Sequence, residues 1–331
     1  MTQSAGNQGP QVFVLTHEQA AWRNALASQP WIELAPWEER VFEDGEYKLR
    51  PLVSVHDRDV YVVHALAGDD RLSVNDKLTR LLFFLATVRD QGARRVTAIT
   101  PYLPFARKDR RTKPRDPLTF RYLAQLFETM GTDRVVALEV HNVAAFENAF
   151  RCPAVHLSSA SLLADAVIGA AGDRPLAVVS PDAGGAKRAD QWRDVLRDRT
   201  GREASAVFLE KRRSEGVVSG DAVVGDVDGR VAVIVDDMIV SGGTMARAVD
   251  ACRARGATAV IACAAHGLFT AGSEVLLDHP GLDALIIANS VPPAPCVAGR
   301  ERVRIVAAEP LLTATIAELA GYSPSQSIGQ V

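Results

Sequence analysis

The sequence predicts an α/β protein of two domains, each built on a mainly parallel sheet flanked by helices. Three observations lead there. Short β-branched runs alternate with helical patterns along most of the chain. Its 331 residues are enough for two domains that each bury their own core. Finally, the apolar run 231–235 leads through two carboxylates into a loop rich in glycine and hydroxyls, and then into a helix.

Taken in order, residues 11–16 and 60–66 read as buried strands. From 75 to 89, Leu78, Leu81, Leu82, Leu85 and Val88 follow the 3.6-residue period of a helix, which Gly92 ends before a strand at 96–100. Asp116 is placed to cap the next helix with Pro117 at its first position. Phe120, Leu123, Leu126, Phe127 and Met130 form its apolar face, and Gly131 stops it. A strand at 135–140 follows. The second half repeats the alternation, with strands at 176–180, 206–209, 231–235, 259–264 and 285–288. Gly92-Ala93 before one strand resembles Gly256-Ala257 before another, a weak hint of duplication. We place an N-terminal domain at 11–155, onto which 309–322 would pack back, and a C-terminal domain at 156–308.

Lys and Arg number 37 against 40 Asp and Glu, a net charge of −3, and this balance argues against a protein that mainly coats nucleic acid. Apolar runs such as 157–171 are broken by Ser and Asp short of the ~20 residues of a membrane span. The polar first ten residues carry no apolar signal core, so an intracellular, cytoplasmic protein is expected. Cys152, Cys252, Cys263 and Cys296 have neither disulfide-framework nor zinc spacing.

The segment 231–244 is the most informative. Gly242 and Gly243 let successive backbone N–H groups turn toward an anion, Ser241 and Thr244 add hydroxyl donors, and the helix start adds positive partial charge. Asp236 and Asp237 would repel a phosphate unless they serve something else. A sugar diol is the economical answer, with a metal ion as possible company; the bland alternative is a capped turn with solvated acids. No Lys follows the glycines, so this is not a Walker loop.

This segment resembles the phosphoribosyl-diphosphate loop of the type I phosphoribosyltransferase fold. The resemblance implies that Val240, Ser241, Gly242, Gly243 and Thr244 bind the 5-phosphate of ribose 5-phosphate, and that Asp236 and Asp237 bind its 2- and 3-hydroxyls. Three further segments single out the ribose-phosphate diphosphokinase (PRPP synthetase) family: 101–111 with Arg107, Lys108 and Asp109; 180–188 with Asp182; and 210–213 with Lys211 and Arg213. Phe42, Asp44 and Glu46 are similar to that family's adenine-contacting motif. The likeness runs from about residue 12 to 321, and it implies two duplicated type I phosphoribosyltransferase-like domains. It departs at Val240, where many members carry an acid, at Lys108 (usually Gln), at Glu139 (usually Asp) and at the C-terminus.

The residues also have readings of their own. Arg107, Lys108, Arg110, Arg111, Lys113 and Arg115 crowd nine positions, as a solvated loop, a nucleic-acid patch or a polyanion dock would. His141, after an apolar strand, is by itself most simply structural. The resemblance puts Arg107, Lys108, Asp109 and His141 at ATP, and makes His141 and Asp182 ligands of Mg²⁺ held mainly by phosphates and water. Lys211 and Arg213, at i and i+2, share a face if extended. By resemblance they sit on a mobile catalytic flap, with Gly216 and Gly220 suited to closing it.

The implied reaction turns ATP and ribose 5-phosphate into PRPP and AMP in a homo-oligomer, a hexamer by family habit, with adenine held by a neighbouring subunit's Phe42, Asp44 and Glu46. A non-catalytic regulatory homologue and a phosphoribosyltransferase acting on a base are the competing readings. The second leaves the segments around Phe42, Arg107 and Lys211 unexplained.

Overall fold

The computed structural model describes residues 9–16, 20–214 and 217–322; for 183 and 210–223 only the backbone is described. The chain divides into two units, Met1–Leu157 with Glu309–Val331, and Ser158–Ala308.

In the first unit the elements run β1 (Gln11–Val14), α1 (Ala20–Ala27), β2 (Glu33–Leu34), β3 (Trp37–Val41), β4 (Tyr47–Pro51), β5 (Asp59–Val63), α2 (Val74–Asp90), β6 (Arg95–Thr100), α3 (Thr119–Thr129), β7 (Arg134–Leu138), α4 (Val143–Ala149) and β8 (Ala154–Leu157). The sheet is parallel throughout, in the order β2-β1-β5-β6-β7-β8. Its strands read as near-continuous apolar runs because helices cover both faces. An aromatic core of Phe13, Phe84, Phe120, Phe127, Phe146 and Phe150 fills one side of it.

In the second unit follow α5 (Ser159–Ala171), β9 (Leu176–Ser180), α6 (Ala186–Thr200), β10 (Ser205–Ser214), β11 (Val217–Val224), β12 (Val231–Ile239), α7 (Gly243–Ala254), β13 (Ala259–Gly267), α8 (Glu274–Leu277), β14 (Ala284–Ala288) and β15 (Val303–Val306). The sheet order is β11-β10-β9-β12-β13-β14-β15, antiparallel only between β10 and β11. The last helix, α9 (Glu309–Ala320), belongs to the first unit, where it packs against α1. Just beyond it, Tyr322 stacks on Trp31 with ring centroids 5.1 Å apart.

Without β3, β4 and β11, both sheets have the same order: second strand, first, then third to sixth. The match extends to side chains. Arg89, at the end of α2, donates to Gly131 O, Ala93 O and Asp133, whose carboxylate also accepts Val96 N–H at 2.7 Å. Arg253, at the end of α7, donates to Gly281 O, Ala257 O and Asp283, whose carboxylate accepts Val260 N–H at 2.6 Å. In both, a glycine at positive φ follows the helix (Gly92 at +84°, Gly256 at +87°), a conformation that a Cβ would strain. The Gly-Ala hint of duplication thus marks a clamp of one Arg and one Asp in each unit.

Several sequence expectations change. Asp116 does not cap α3, which starts at Thr119 after Leu118 with no side-chain cap. Its carboxylate instead accepts from Thr112 N, Thr112 Oγ1 and Lys113 N, a local turn that competes with capping and holds Asp116 below its usual pKa. In the segment expected to form a mobile flap, β10 and β11 pair through Arg213↔Val218 and Ser214↔Val217; residues 215–216, and with them Gly216, lie outside the described ones. The β3–β4 ribbon leaves no sign in the sequence, because three successive charged residues (Glu38, Glu39 and Arg40) break the apolar pattern in β3 and the alternation of Tyr47, Leu49 and Pro51 in β4 is too short to stand alone. It lies on α2, where buried Arg80 donates to Glu39 Oε1 at 2.7 Å and stacks over the Tyr47 ring at 4.1 Å.

Removing either clamp carboxylate leaves a backbone N–H and part of a guanidinium without an acceptor. Asp283→Ala is expected to lower stability by about 2–3 kcal/mol, and Asp133→Ala by a similar amount. Urea unfolding midpoints at constant m-value check this; a loss under about 0.5 kcal/mol at both sites would contradict the clamp.

Candidate active site

The second unit's loop begins inside a strand. β12 stays paired with β13 through Asp236↔Ala264 and Ile239↔Gly267, whereas its pairing with β9 ends at Ile234↔Val179. Asp236 and Asp237 therefore sit within β12, five residues into it and not beyond its end, on the side where β9 has turned away into Asp182. At the loop's end Gly242, at φ +76°, precedes α7 without a side-chain cap. A Cβ there would lie 2.7 Å from Leu276 Cβ, so backbone geometry and packing both require glycine. Ser241 is exposed, with Gly243 and Thr244 half-buried. The N–H groups of the first helical turn have no carboxylate among its residues to fill them. Val240 contributes backbone, its carbonyl accepting Thr270 N–H at 2.9 Å.

The two acids are bridged by a residue that sequence reasoning quoted without assigning. Arg188, on α6 and nearly buried, places Nη1 3.3 Å from Asp236 Oδ1 and Nη2 3.6 Å from Asp237 Oδ1. Burial, then the hydrogen bond and charge of Asp237, push Asp236 well above the usual carboxylate range, and Arg188 only partly offsets them. Arg188 lies six residues beyond Asp182 on a helix, and nothing in that spacing announces which strand it reaches.

Asp182 caps the short 3₁₀ turn Ala183–Gly185, its Oδ1 accepting Gly184 N–H at 2.9 Å and Gly185 N–H at 3.2 Å. One of its oxygens is thus used to shape the loop. Lys211 and Arg213 fall on β10, and their side chains lie outside the described ones. The backbone register with β11 shifts between them (Lys211↔Asp221, Arg213↔Val218), so the uninterrupted strand behind the i, i+2 argument is not kept.

The first unit has the same frame with a different ending. With the clamp amides of Val96 and Val260 taken as equivalent, the pairings Val60↔Val96 and Ala232↔Val260 put His64 in the place of Asp236. Pairing on to the first strands puts Thr16 in the place of Asp182. Thr16 Oγ1 and His64 Nδ1 are bonded at 3.0 Å. The following helix, of 17 residues against 12 in α7, starts with a capping box of Ser73 and Asp76. Asp69 accepts Arg71 N–H and Leu72 N–H at 2.8 Å and pairs with buried Lys77. Its own carboxylates occupy the corner that the second unit leaves open.

The other first-unit candidates gather in two places. Phe42, Asp44 and Glu46 lie at the tip of the β3–β4 ribbon, where Asp44 Oδ1 accepts Glu46 N–H at 3.0 Å, Gly45 has φ +90°, and Arg40 sits 4.9 Å from the Phe42 ring centroid. Asp44 therefore also builds the turn. Arg107 and Lys108 are exposed, on a segment that bends at Phe105 (φ +62°). Asp109 accepts from Asn142 Nδ2 at 2.7 Å, which ties this segment to the loop carrying exposed His141. That loop is entered through Glu139, buried and at φ +41°. Non-glycine residues in the left-handed region on both sides are backbone strain that packing must hold in place.

Among the described residues, no three His, Cys, Asp or Glu side chains gather as a metal cage, and all four cysteines are free. Among the described residues, no helix is long and apolar enough to cross a membrane.

Residues 12–131 match the N-terminal domain of ribose phosphate pyrophosphokinase, and residues 215–322 the phosphoribosyl synthetase-associated domain. The ribose-phosphate pyrophosphokinase of Corynebacterium efficiens is 32% identical over 298 residues, covering 89% of this chain and 88% of the relative. That of Streptomyces coelicolor is 34% identical over 273 residues, 81% of each. The crystal structure of phosphoribosylpyrophosphate synthetase from Mycobacterium smegmatis superposes with a TM-score of 0.82 at 29% identity, over 95% of this chain and 99% of that one. A duplicated sheet, one open loop at the carboxyl edge of the second, and likeness along nearly the whole length agree: the chain belongs to the ribose-phosphate pyrophosphokinase family.

Proposed function

We propose that the protein transfers the β,γ-diphosphoryl group of ATP to the 1-hydroxyl of ribose 5-phosphate, giving PRPP and AMP. The observation that carries this is the second unit's open loop: an uncapped helix start behind Gly242, joined to two acids bridged by Arg188. An anion at one end and a diol at the other describe a pentose phosphate. Likeness to synthetases along both units supplies the second substrate.

Val240 to Thr244 hold the 5-phosphate with backbone N–H groups and the hydroxyls of Ser241 and Thr244. Asp236 and Asp237 accept from the ribose hydroxyls, and Arg188 keeps their charges tolerable at close range. Anchored at two points, the sugar presents its 1-hydroxyl to the β-phosphorus; that oxygen forms the new P–O bond while the bond to the AMP oxygen breaks. Such transfers depend chiefly on in-line positioning and charge stabilisation. Lys211 and Arg213 are assigned to the charge on the transferring group. Arg107, Lys108, Asp109 and His141 are assigned to ATP, with Phe42, Asp44 and Glu46 at its adenine, offered to a neighbouring copy in a homo-oligomer.

The donors offered to Mg²⁺ suit it in part: a carboxylate oxygen of Asp182, whose other oxygen is fixed by two N–H groups, and the exposed His141 imidazole. So few protein donors are in keeping with an ion held mainly by phosphates and water. When bound, it neutralises polyphosphate charge.

Incubation with ribose 5-phosphate, ATP and Mg²⁺ is expected to release AMP and PRPP in equal amounts, and Lys211→Ala to lower kcat by ~10²-fold or more. No product with phosphate added, or with other nucleoside triphosphates and pentose phosphates, would overturn the proposal and favour a non-catalytic regulatory homologue.

The raised pKa of Asp236 adds a pH prediction. A carboxylate accepts from a diol better when ionised, so KM for ribose 5-phosphate should fall as pH rises through that pKa, and Asp236→Asn should remove the dependence. The sign for stability is opposite. A folded-state pKa above the unfolded value near 3.8 means stability present at low pH and lost as pH climbs through the folded value. Asp236→Asn should therefore gain melting temperature at pH 7–8, with the gain vanishing near pH 4. A constant difference across that range would contradict it.

A further inference from the structure

Asn142 uses both ends of its amide. Its Oδ1 accepts Ala145 N–H at 3.2 Å and so caps α4, while its Nδ2 donates to Asp109 Oδ2 at 2.7 Å. The reversed amide would set its oxygen against a carboxylate and its nitrogen against an N–H, so the network fixes one orientation. Asp109 stands in the middle of a basic run, with Arg107 and Lys108 before it and Arg110 and Arg111 after it. Like charges on one segment push it outward into solvent, where it would meet a polyphosphate in many arrangements.

Backbone contacts help to hold the run. Lys108 N–H bonds Phe105 O at 2.9 Å, and Phe120 N–H bonds Lys108 O at 3.3 Å. Neither reaches the loop that carries His141. The Asn142 amide does, across 33 positions of sequence. A cation in its place would also bond Asp109 but would add charge beside the run. A neutral donor ties the segment and leaves the charge unchanged.

We propose that Asn142 is a positioning residue for nucleotide binding: it ties Asp109 to the start of α4 and so holds the basic run against the His141 loop in one arrangement. This rests on the assignment of Arg107, Lys108, Asp109 and His141 to ATP. Asn142 itself need not touch the nucleotide.

The test separates cap from tether. Asn142→Asp keeps an oxygen for Ala145 N–H, since Asp caps as well as Asn, but sets a second carboxylate against Asp109. KM for ATP is expected to rise about tenfold, with KM for ribose 5-phosphate within about twofold and the melting temperature unchanged. Adding Asp109→Asn rebuilds the bond with its donor reversed, so the double variant should be better than the two single effects combined. Additive effects, an equal rise in both KM values, or no change in either would each overturn the proposal. Hydrogen exchange gives a readout that needs no turnover: the amides of 107–113 should exchange faster in Asn142→Asp and recover in the double variant, and unchanged exchange overturns the tether. Should the unaltered protein make no PRPP, the diphosphokinase reading falls, and exchange with and without ATP still decides whether the tether exists and serves the nucleotide.

Discussion

The Arg–Asp clamp beneath each sheet is the constraint from which the rest follows. A parallel sheet has to be set in register before its carboxyl ends can carry a site, because every residue of slip turns a side chain to the opposite face. In both units one carboxylate takes the N–H of the fourth strand's second residue and the guanidinium that ends the preceding helix. Helix end, strand start and the following crossover are therefore fixed together, at the edge away from the chemistry. The opposite edge is then free to vary without unsettling the fold.

It has varied in one direction per unit. His64 stands where Asp236 stands, bonded to Thr16 where the second unit has Asp182. The first unit's helix begins with Ser73 and Asp76 closing a capping box, and Asp69 accepts two further N–H groups while neutralising buried Lys77. An anion arriving there would meet carboxylates already seated. In the second unit glycine replaces the cap, and no side chain closes the helix start. The duplication thus supplies two scaffolds, and among the described residues the second alone leaves this helix start uncapped. The other's conspicuous features lie elsewhere, in the ribbon seated on Arg80 and the strained loops around Phe105 and Glu139.

The fold class was legible because parallel strands buried on both faces leave runs such as 176–180 and 231–235 that polar loops cannot imitate. The glycine-rich turn between β12 and α7 was legible because its demands are local: glycines, hydroxyls and acids at fixed offsets from a strand. What escaped depends on distance or on exposure. The β3–β4 ribbon alternates only in β4, where Tyr47, Leu49 and Pro51 face inward between Lys48 and Arg50, while β3 carries Glu38, Glu39 and Arg40 in succession and gives no such signal. Asp116 had two uses for its carboxylate, and propensity could not say that the turn at Thr112 and Lys113 would win. Arg188 and Asn142 act on partners 48 and 33 positions away, a relation that helical period does not encode.

Arg188 also shows why the acid pair can exist. Two neighbouring carboxylates on a buried strand repel each other and lose hydration, and either effect alone drives a proton onto one of them. A single guanidinium facing both lowers that tendency without abolishing it, as the raised pKa of Asp236 shows. A full complement of cations would hold both acids ionised, and would also compete for their lone pairs with any hydroxyl brought to them. Leaving the pair under-compensated costs stability and keeps acceptor capacity for the diol proposed to bind there. On the proposed assignment, a sugar whose two hydroxyls donate hydrogen bonds to the pair would relieve that cost where it binds, and the instability of the free site would become part of its affinity for the substrate.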